Sequence, residues 1–303
     1  MSEDRFGLAG RTALITGAGG GLGREHALLF GSHGANVVVN DLGGSRDGSG
    51  AGSDMADKVV EEIKAAGGNA VANYGSVSET ESAQAMVQTA LDAFGSIDIV
   101  VNNAGILRDK SFKNMTEQDW DLVIAVHLKG AYNVTKAAWE PMREAKYGRV
   151  VLTSSASGLY GNFGQTNYGA AKAALCGLGQ ALAEEGAKNN IHTNVIAPLA
   201  LSRMTEDIMP EGMQDLIKPE YVSPLVVYLC AESCEDNGQI YEVGAGCYAR
   251  VETLRAKGFA VKPDGPISVD TIADNWKAIN DPTGGEIIHS PMESTMASLK
   301  HAS

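Results

Sequence analysis

A phenol and an ammonium stand four residues apart in the stretch QTNYGAAKAAL, positions 165–175: Tyr168 and Lys172. On a helix, residues i and i+4 share a face, so the cation is expected beside the phenol. Free tyrosine titrates near ~10, too high for a base at neutral pH. An adjacent positive charge favours the phenolate and draws that value down. Thirteen residues upstream, Ser155 closes the run GRVVLTSS. Its hydroxyl can hold the same substrate oxygen whose proton the phenol moves. Taken alone, Y-x-x-x-K fits an Ala-rich core helix just as well, so the rest of the chain has to decide.

A second chemical signal lies far upstream. TGAGGGLG (16–23) follows the apolar run TALIT and opens a helical pattern, with Gly17, Gly21 and Gly23 spaced G-x-x-x-G-x-G. Glycines there let the backbone approach a pyrophosphate, and the helix start offers N–H groups and a partial positive charge. Asp41 ends the next apolar run, ANVVVND. A carboxylate at that distance accepts hydrogen bonds from the adenosine ribose hydroxyls and repels a 2′-phosphate, which favours NAD over NADP. Arg46, five residues on, is the competing signal for a phosphate. VVNNAG at 100–105 ends a fourth run with side-chain amides able to tie neighbouring strands together.

These groups need a scaffold. Seven short apolar, β-branched runs alternate with amphipathic patterns such as DMADKVVEEIKAAGG almost to residue 243. Strands buried on both faces read this way, and the alternation predicts an α/β fold: a doubly wound, Rossmann-type parallel sheet of about seven strands. Ligands are then expected beyond the carboxyl ends of the strands. A Gly/Ser-rich loop, LGGSRDGSGAGSD (42–54), interrupts the rhythm. The division expected is a nucleotide-binding domain over 1–248 and a C-terminal extension over 249–303 that packs on the core or a neighbouring subunit. The 303 residues carry a formal charge of -13, which argues against nucleic-acid and anionic-membrane partners. Four cysteines without C-x-x-C spacing, an N-terminus without an apolar leader and no membrane-length apolar run point to a cytoplasmic protein with reduced thiols and no metal.

As a set, T-G-x-x-x-G-x-G, N-N-A-G, a serine thirteen residues before Y-x-x-x-K and a proline after the sixth strand resemble the short-chain dehydrogenase/reductase family, over roughly residues 8–248. The resemblance implies that Ser155, Tyr168 and Lys172 are catalytic, with Lys172 also bonding the nicotinamide ribose. It implies cofactor contacts at Gly17, Gly21, Leu22, Gly23, Asp41, Ser76, Val77 and Asn103, with Ser76 and Val77 near adenine. The segment IAPLALSRMT (196–205), with Pro198, Ala200, Leu201, Ser202 and Arg203, resembles the stretch that faces the nicotinamide amide. Two positions depart from the family pattern. Leu199 follows Pro198 where glycine is usual. His127 stands mid-helix where family members place an asparagine whose backbone helps hold a proton-relay water. Its ring can relay protons itself, or can simply replace the asparagine and leave the relay to its carbonyl.

NDLGG, NNAGILRDKSF, TSSASGLYGNFGQTNY and NWKAIND carry a narrower likeness, to the (3R)-hydroxyacyl-CoA dehydrogenase domains of multifunctional peroxisomal enzymes and their free-standing bacterial homologues. The implied reaction is NAD-dependent oxidation of a (3R)-hydroxyacyl-CoA in β-oxidation of fatty-acyl or sterol side chains. The alternatives are a 17β-hydroxysteroid substrate, or a nucleotide-binding protein without chemistry. Arg108, Lys110 and Lys113 would meet CoA phosphates or simply belong to a solvated loop, and Met204, Met209 and Met213 would form an apolar lid or pack without touching substrate. The family also implies a homo-oligomer, dimer or tetramer, with the Ala-rich face of 169–183 allowing close approach.

Overall fold

The computed structural model describes residues 4–45, 47–200, 214–262 and 265–300. Of the expected contacts, Arg46, Leu201, Ser202, Arg203 and the three lid methionines lie outside the described residues. The chain divides into two compact units, 1–250 and 251–303.

In the first unit the seven apolar runs are strands: β1 (Thr12–Thr16), β2 (Asn36–Asn40), β3 (Asn69–Asn73), β4 (Ile99–Asn102), β5 (Gly148–Thr153), β6 (Ile191–Leu199) and β7 (Ile240–Gly244). Every residue of β1, β4 and β5 is buried, as consecutive apolar residues require of strands covered on both faces. The strand order is β3-β2-β1-β4-β5-β6-β7-β8, and β3 through β7 pair in parallel. The order reverses between β1 and β4, the crevice where ligands of such sheets bind.

The eighth strand, β8 (Cys247–Val251), exceeds the expected seven. Ala245 and Gly246 separate it from β7 with φ of 49° and 73°. Two consecutive positive φ values make a tight hairpin turn, and so short a link admits only an antiparallel neighbour. Ala245 adopts the strained region that glycine would be expected to mark, so the sequence carried only a weak signal for this turn.

The crossover helices are α1 (Gly21–Ser32), α2 (Asp54–Ala65), α3 (Thr80–Phe94), α4 (Glu117–Ile124), α5 (Gly130–Ala145), α6 (Ala156–Tyr160), α7 (Thr166–Gly186) and α8 (Ser223–Leu229). One continuous core joins Leu8, Ile15, Phe30, Val37, Val39 and Ile63 across β1, β2, α1 and α2. The loop between β2 and α2 folds back on itself: Asp47 accepts from the Ser45 and Ser49 hydroxyls, and its backbone carbonyl accepts from Arg108 Nε at 2.9 Å. Between α4 and α5, residues Ala125–Lys129 form a π-helical turn with Gly130 N–H bonded to the Ala125 carbonyl. Such turns open the helix locally and concentrate at functional sites. His127 sits in the middle of it.

The second unit holds a short antiparallel pair, β9 (Leu254–Arg255) with β10 (Glu286–Ile287), and the helices α9 (Val269–Asp274), α10 (Trp276–Ile279) and α11 (Pro291–Leu299). Ser268 and Ser290 cap α9 and α11 by accepting from Thr271 N and Glu293 N. No helix of the described residues is long and apolar enough to cross a membrane.

Candidate active site

The glycine turn is built as its spacing demands. Gly17 has φ +63°, and a side chain there would stand 2.8 Å from Ala104 Cα. At Gly23 a Cβ would come 2.2 Å from the Gly17 carbonyl oxygen, so the turn and the first helical residues admit only hydrogen at both positions. Gly21 also has a positive φ, 52°, and Leu22 packs partly buried against the main core. Gly20 precedes α1 without a side-chain cap, and the first turn carries no acidic residue. The first turn of α1 therefore sets no carboxylate of its own against its N–H groups, which fits a pyrophosphate.

Asp41 is buried at the end of β2, where its carboxylate accepts from Gly19 N at 2.8 Å and Gly43 N at 2.7 Å. Both bonds hold the acid against the glycine turn. Asn103 closes the turn from the β4 side: its Nδ2 donates to the Thr16 and Gly17 carbonyls at 3.0 and 3.1 Å, while Thr16 Oγ1 accepts from Asn103 N and Ala104 N. The strand tie expected of the Asn pair is present. Its partner Asn102 instead reaches Thr135 Oγ1 at 2.9 Å. Ser76 shares a hydroxyl bond with Ser78, and Val77 is buried against Gly130 with its carbonyl accepting from Asn133 Nδ2. Pro198 and Leu199 continue β6 in register with Val243 and Gly244. The glycine missing at 199 is matched on the partner strand, since a Cβ at Gly244 would lie 2.0 Å from the Leu199 carbonyl oxygen. Ala200, next along, is buried.

Ser155, Tyr168 and Lys172 converge beyond the carboxyl end of β5. Ser155 caps α6, its Oγ accepting from Ser157 N at 3.2 Å. A Cβ at Gly158 would sit 2.7 Å from Lys172 Cβ, so α6 lies tight against the turn of α7 that carries the lysine. Buried Ser154 locks the same contact by donating to the Lys172 carbonyl at 2.7 Å. The Lys172 ammonium is buried, stands 5.4 Å from the Tyr168 ring centroid and donates to the Thr153 carbonyl.

For Tyr168 the net shift runs upward, against the lowering expected beside that ammonium. Burial pushes Tyr168 up to about 12; the bond from Ser155 opposes this, and the Asp109 carboxylate adds to it. The ammonium lies over the ring face and is committed to a backbone carbonyl, so desolvation outweighs it. Burial lowers Lys172 itself to about 7.

His127 meets Tyr168 edge-on, ring centroids 5.2 Å apart at 87°. Its Nε2 lies 3.0 Å from Ile106 N and 2.8 Å from Ile106 O, so either neutral tautomer finds a partner. Burial, then the Lys172 charge, push the ring down to about 3. An imidazolium is thus unavailable at neutral pH. His127 Nδ1 and Thr153 Oγ1 have no hydrogen-bond partner, and both residues line, with Lys172, Asn102 and Thr16, a cavity of about 10 Å³. That is room for one water among polar neighbours.

In the loop after β4, Arg108 and Lys110, the cations expected to meet CoA phosphates, have a carboxylate partner within the chain. They pair with buried Asp119 at 3.5 and 2.9 Å. The Thr116 hydroxyl and Lys110 hold that carboxyl well below the usual range. Lys113 is exposed. Asp119, Thr153 and Asn167 contact these residues and were not marked by pattern reading; the T-x-x-D capping box around Asp119 was the one local signal available.

Comparison with known proteins agrees with this geometry. A family model described as short chain dehydrogenase matches residues 11–211. The chain is 56% identical over 273 residues to peroxisomal multifunctional enzyme type 2 of Mus musculus, covering 90% of this chain and 37% of that one. It is 39% identical over 251 residues to hydroxyacyl-CoA dehydrogenase ChsB1 of Mycobacterium tuberculosis, covering 78% of each. Among solved structures, full-length peroxisomal multifunctional enzyme type 2 from Drosophila melanogaster superposes with a TM-score of 0.83 at 42% identity, covering 97% of this chain and 49% of that one. The chain therefore spans well under two thirds of both multifunctional enzymes.

Proposed function

The chain belongs to the short-chain dehydrogenase family, and from that premise we propose that it oxidises a (3R)-hydroxyacyl-CoA to the 3-ketoacyl-CoA with NAD. The observation that carries the reading is the convergence of Ser155, Tyr168 and Lys172 at the end of β5, on the same sheet edge as the glycine turn after β1. The substrate class is supported by the mycobacterial relative named a hydroxyacyl-CoA dehydrogenase. NAD rather than NADP is supported by Asp41, whose carboxylate borders the turn where a 2′-phosphate would otherwise lie.

In this reading Gly17, Gly21 and Gly23 with the start of α1 hold the pyrophosphate, and Asp41 holds the adenosine ribose. Hydride acceptance is the chemistry the bound cofactor supplies. Ser155 donates to the substrate oxygen and orients the carbinol. Tyr168 takes the hydroxyl proton as the phenolate, and Lys172 beside it favours that form against the burial that opposes it. His127, neutral and buried, packs edge-on against Tyr168 and lines the small polar cavity beside Lys172.

The test is NADH formation from (3R)- and (3S)-hydroxyacyl-CoA of several chain lengths, with a free 17β-hydroxysteroid as comparison. The (3R) thioesters are expected to give the highest kcat/KM. Tyr168→Phe is expected to lower kcat by at least about a thousandfold while NAD still binds. Preference for the free steroid, or turnover by the Phe variant near that of the parent, would sink the reading.

A further inference from the structure

One side chain ties the segment carrying the proton-transfer phenol to the loop that follows β4. Asn167 is fully buried, at 0% exposure, directly before Tyr168. Its Nδ2 donates to the backbone carbonyls of Arg108 at 3.2 Å and Asp119 at 3.0 Å, and its Oδ1 accepts from Tyr168 N at 2.7 Å. Both amide hydrogens and the amide oxygen are engaged, so the orientation of the group is determined: flipped, it would set its oxygen against two carbonyl oxygens.

The bond to Tyr168 N answers a local need. Gln165, the residue before α7, supplies no side-chain cap, and N–H groups in a first helical turn lack helical partners. The other two bonds reach a rigid anchor. Asp119 is buried in the capping box of α4 and pinned by Thr116 Oγ1 at 2.6 Å, Lys110 at 2.9 Å and Arg108 at 3.5 Å. Arg108 is further held by the Asp47 carbonyl. The phenol therefore begins one residue after a junction of α4, α7 and the 105–110 loop.

We propose that Asn167 is a positioning residue for Tyr168: it holds the start of α7 on the Arg108 and Asp119 carbonyls, so that the phenol meets a substrate oxygen already held by Ser155. The inference rests on Tyr168 being the proton-transfer group. Displacement of a reacting group by an ångström is enough to cost roughly 100-fold in rate.

Asn167→Ser removes the tie while keeping a small polar side chain. A serine is too short to reach the two carbonyls. With whichever alcohol the wild type oxidises fastest, the Ser variant is expected to lose roughly 10- to 100-fold in kcat. Affinity for NAD, read by fluorescence titration, should stay within about twofold, because the glycine turn shares no partner with Asn167. The primary deuterium isotope effect on kcat/KM should rise as the hydride step slows relative to binding. A Ser variant with kcat within twofold of wild type overturns the proposal, as does one that unfolds or loses kcat only in step with its folded fraction at an unchanged isotope effect. An independent arm needs no substrate. The Tyr168 amide of the wild type is expected to exchange slowly despite its place in a first turn, and fast exchange also overturns the proposal. Should the preferred alcohol not be a hydroxyacyl-CoA, the substrate reading fails while both arms still run.

Discussion

Lys172 is where the chemistry and the stability of the chain meet. Its ordinary value is 10.5 and burial brings it to about 7 in the folded state. Between those values the unfolded chain binds a proton that the folded chain does not, so stability rises with pH across that window and is lost again as pH falls through 7. Tyr168 acts in the opposite sense but higher: its neutral phenol favours folding until pH passes 10, and the advantage is gone above about 12. Urea unfolding from pH 7 to 8 reads the lysine before the Cys230 and Cys234 thiols, which burial raises above their ordinary 9.0, begin to oppose it. Lys172→Met should flatten the slope by up to about 1.4 kcal/mol per pH unit, and an unchanged slope would show the ammonium to be well solvated. The trio was legible as residue types and spacings. Their ionisation was not, because it depends on how much water the surrounding helices exclude and on which carbonyl the ammonium finds.

At the scale of elements, the contact of α6 with α7 governs how near Ser155 stands to Tyr168. A methyl group at Gly158 would meet the backbone of Lys172 and Ala173 at 2.7 to 2.8 Å, and backbone cannot yield as a flexible side chain does. Gly158→Ala is expected to push α6 outward, lowering kcat about 100-fold and stability by about 1–3 kcal/mol while NAD affinity holds. Unchanged kcat with a lowered Tm would separate packing from catalysis and contradict this. The seven strands and the main helices were readable because period and punctuation are local. The π-helical turn at Ala125–Lys129 was not, since its sequence reads as a continuous helix and the extra residue is absorbed only where His127 reaches Ile106. Likewise, VDTIADNWKAIND reads as one helix, but Asn275 divides it into α9 and α10.

For the molecule as a whole, we propose self-association through the surface that α7 offers. Ala170, Ala173, Gly177 and Ala181 are exposed along one stripe, and a Cβ at Gly177 would meet nothing within the chain. Light scattering is expected to give a dimer or tetramer, and Gly177→Arg to reduce its size; a monomeric wild type would remove the stripe's role. The sequence by itself determined the doubly wound sheet, the glycine turn with Asp41 beside it, and the spacing that brings Ser155, Tyr168 and Lys172 together. Each depends on residues close in the chain or on turn chemistry that leaves few alternatives. Only the tertiary structure decided what these groups touch. Arg108 and Lys110, which the chain presents as free cations, are captured by an aspartate on another element. Burial around Tyr168 pushes its phenol upward, against the lowering expected from the neighbouring lysine. Asn167, unmarked in the sequence, becomes the junction of three elements. Desolvation and long-range hydrogen bonds are properties of atoms that meet across the fold, and no local spacing encodes which ones will.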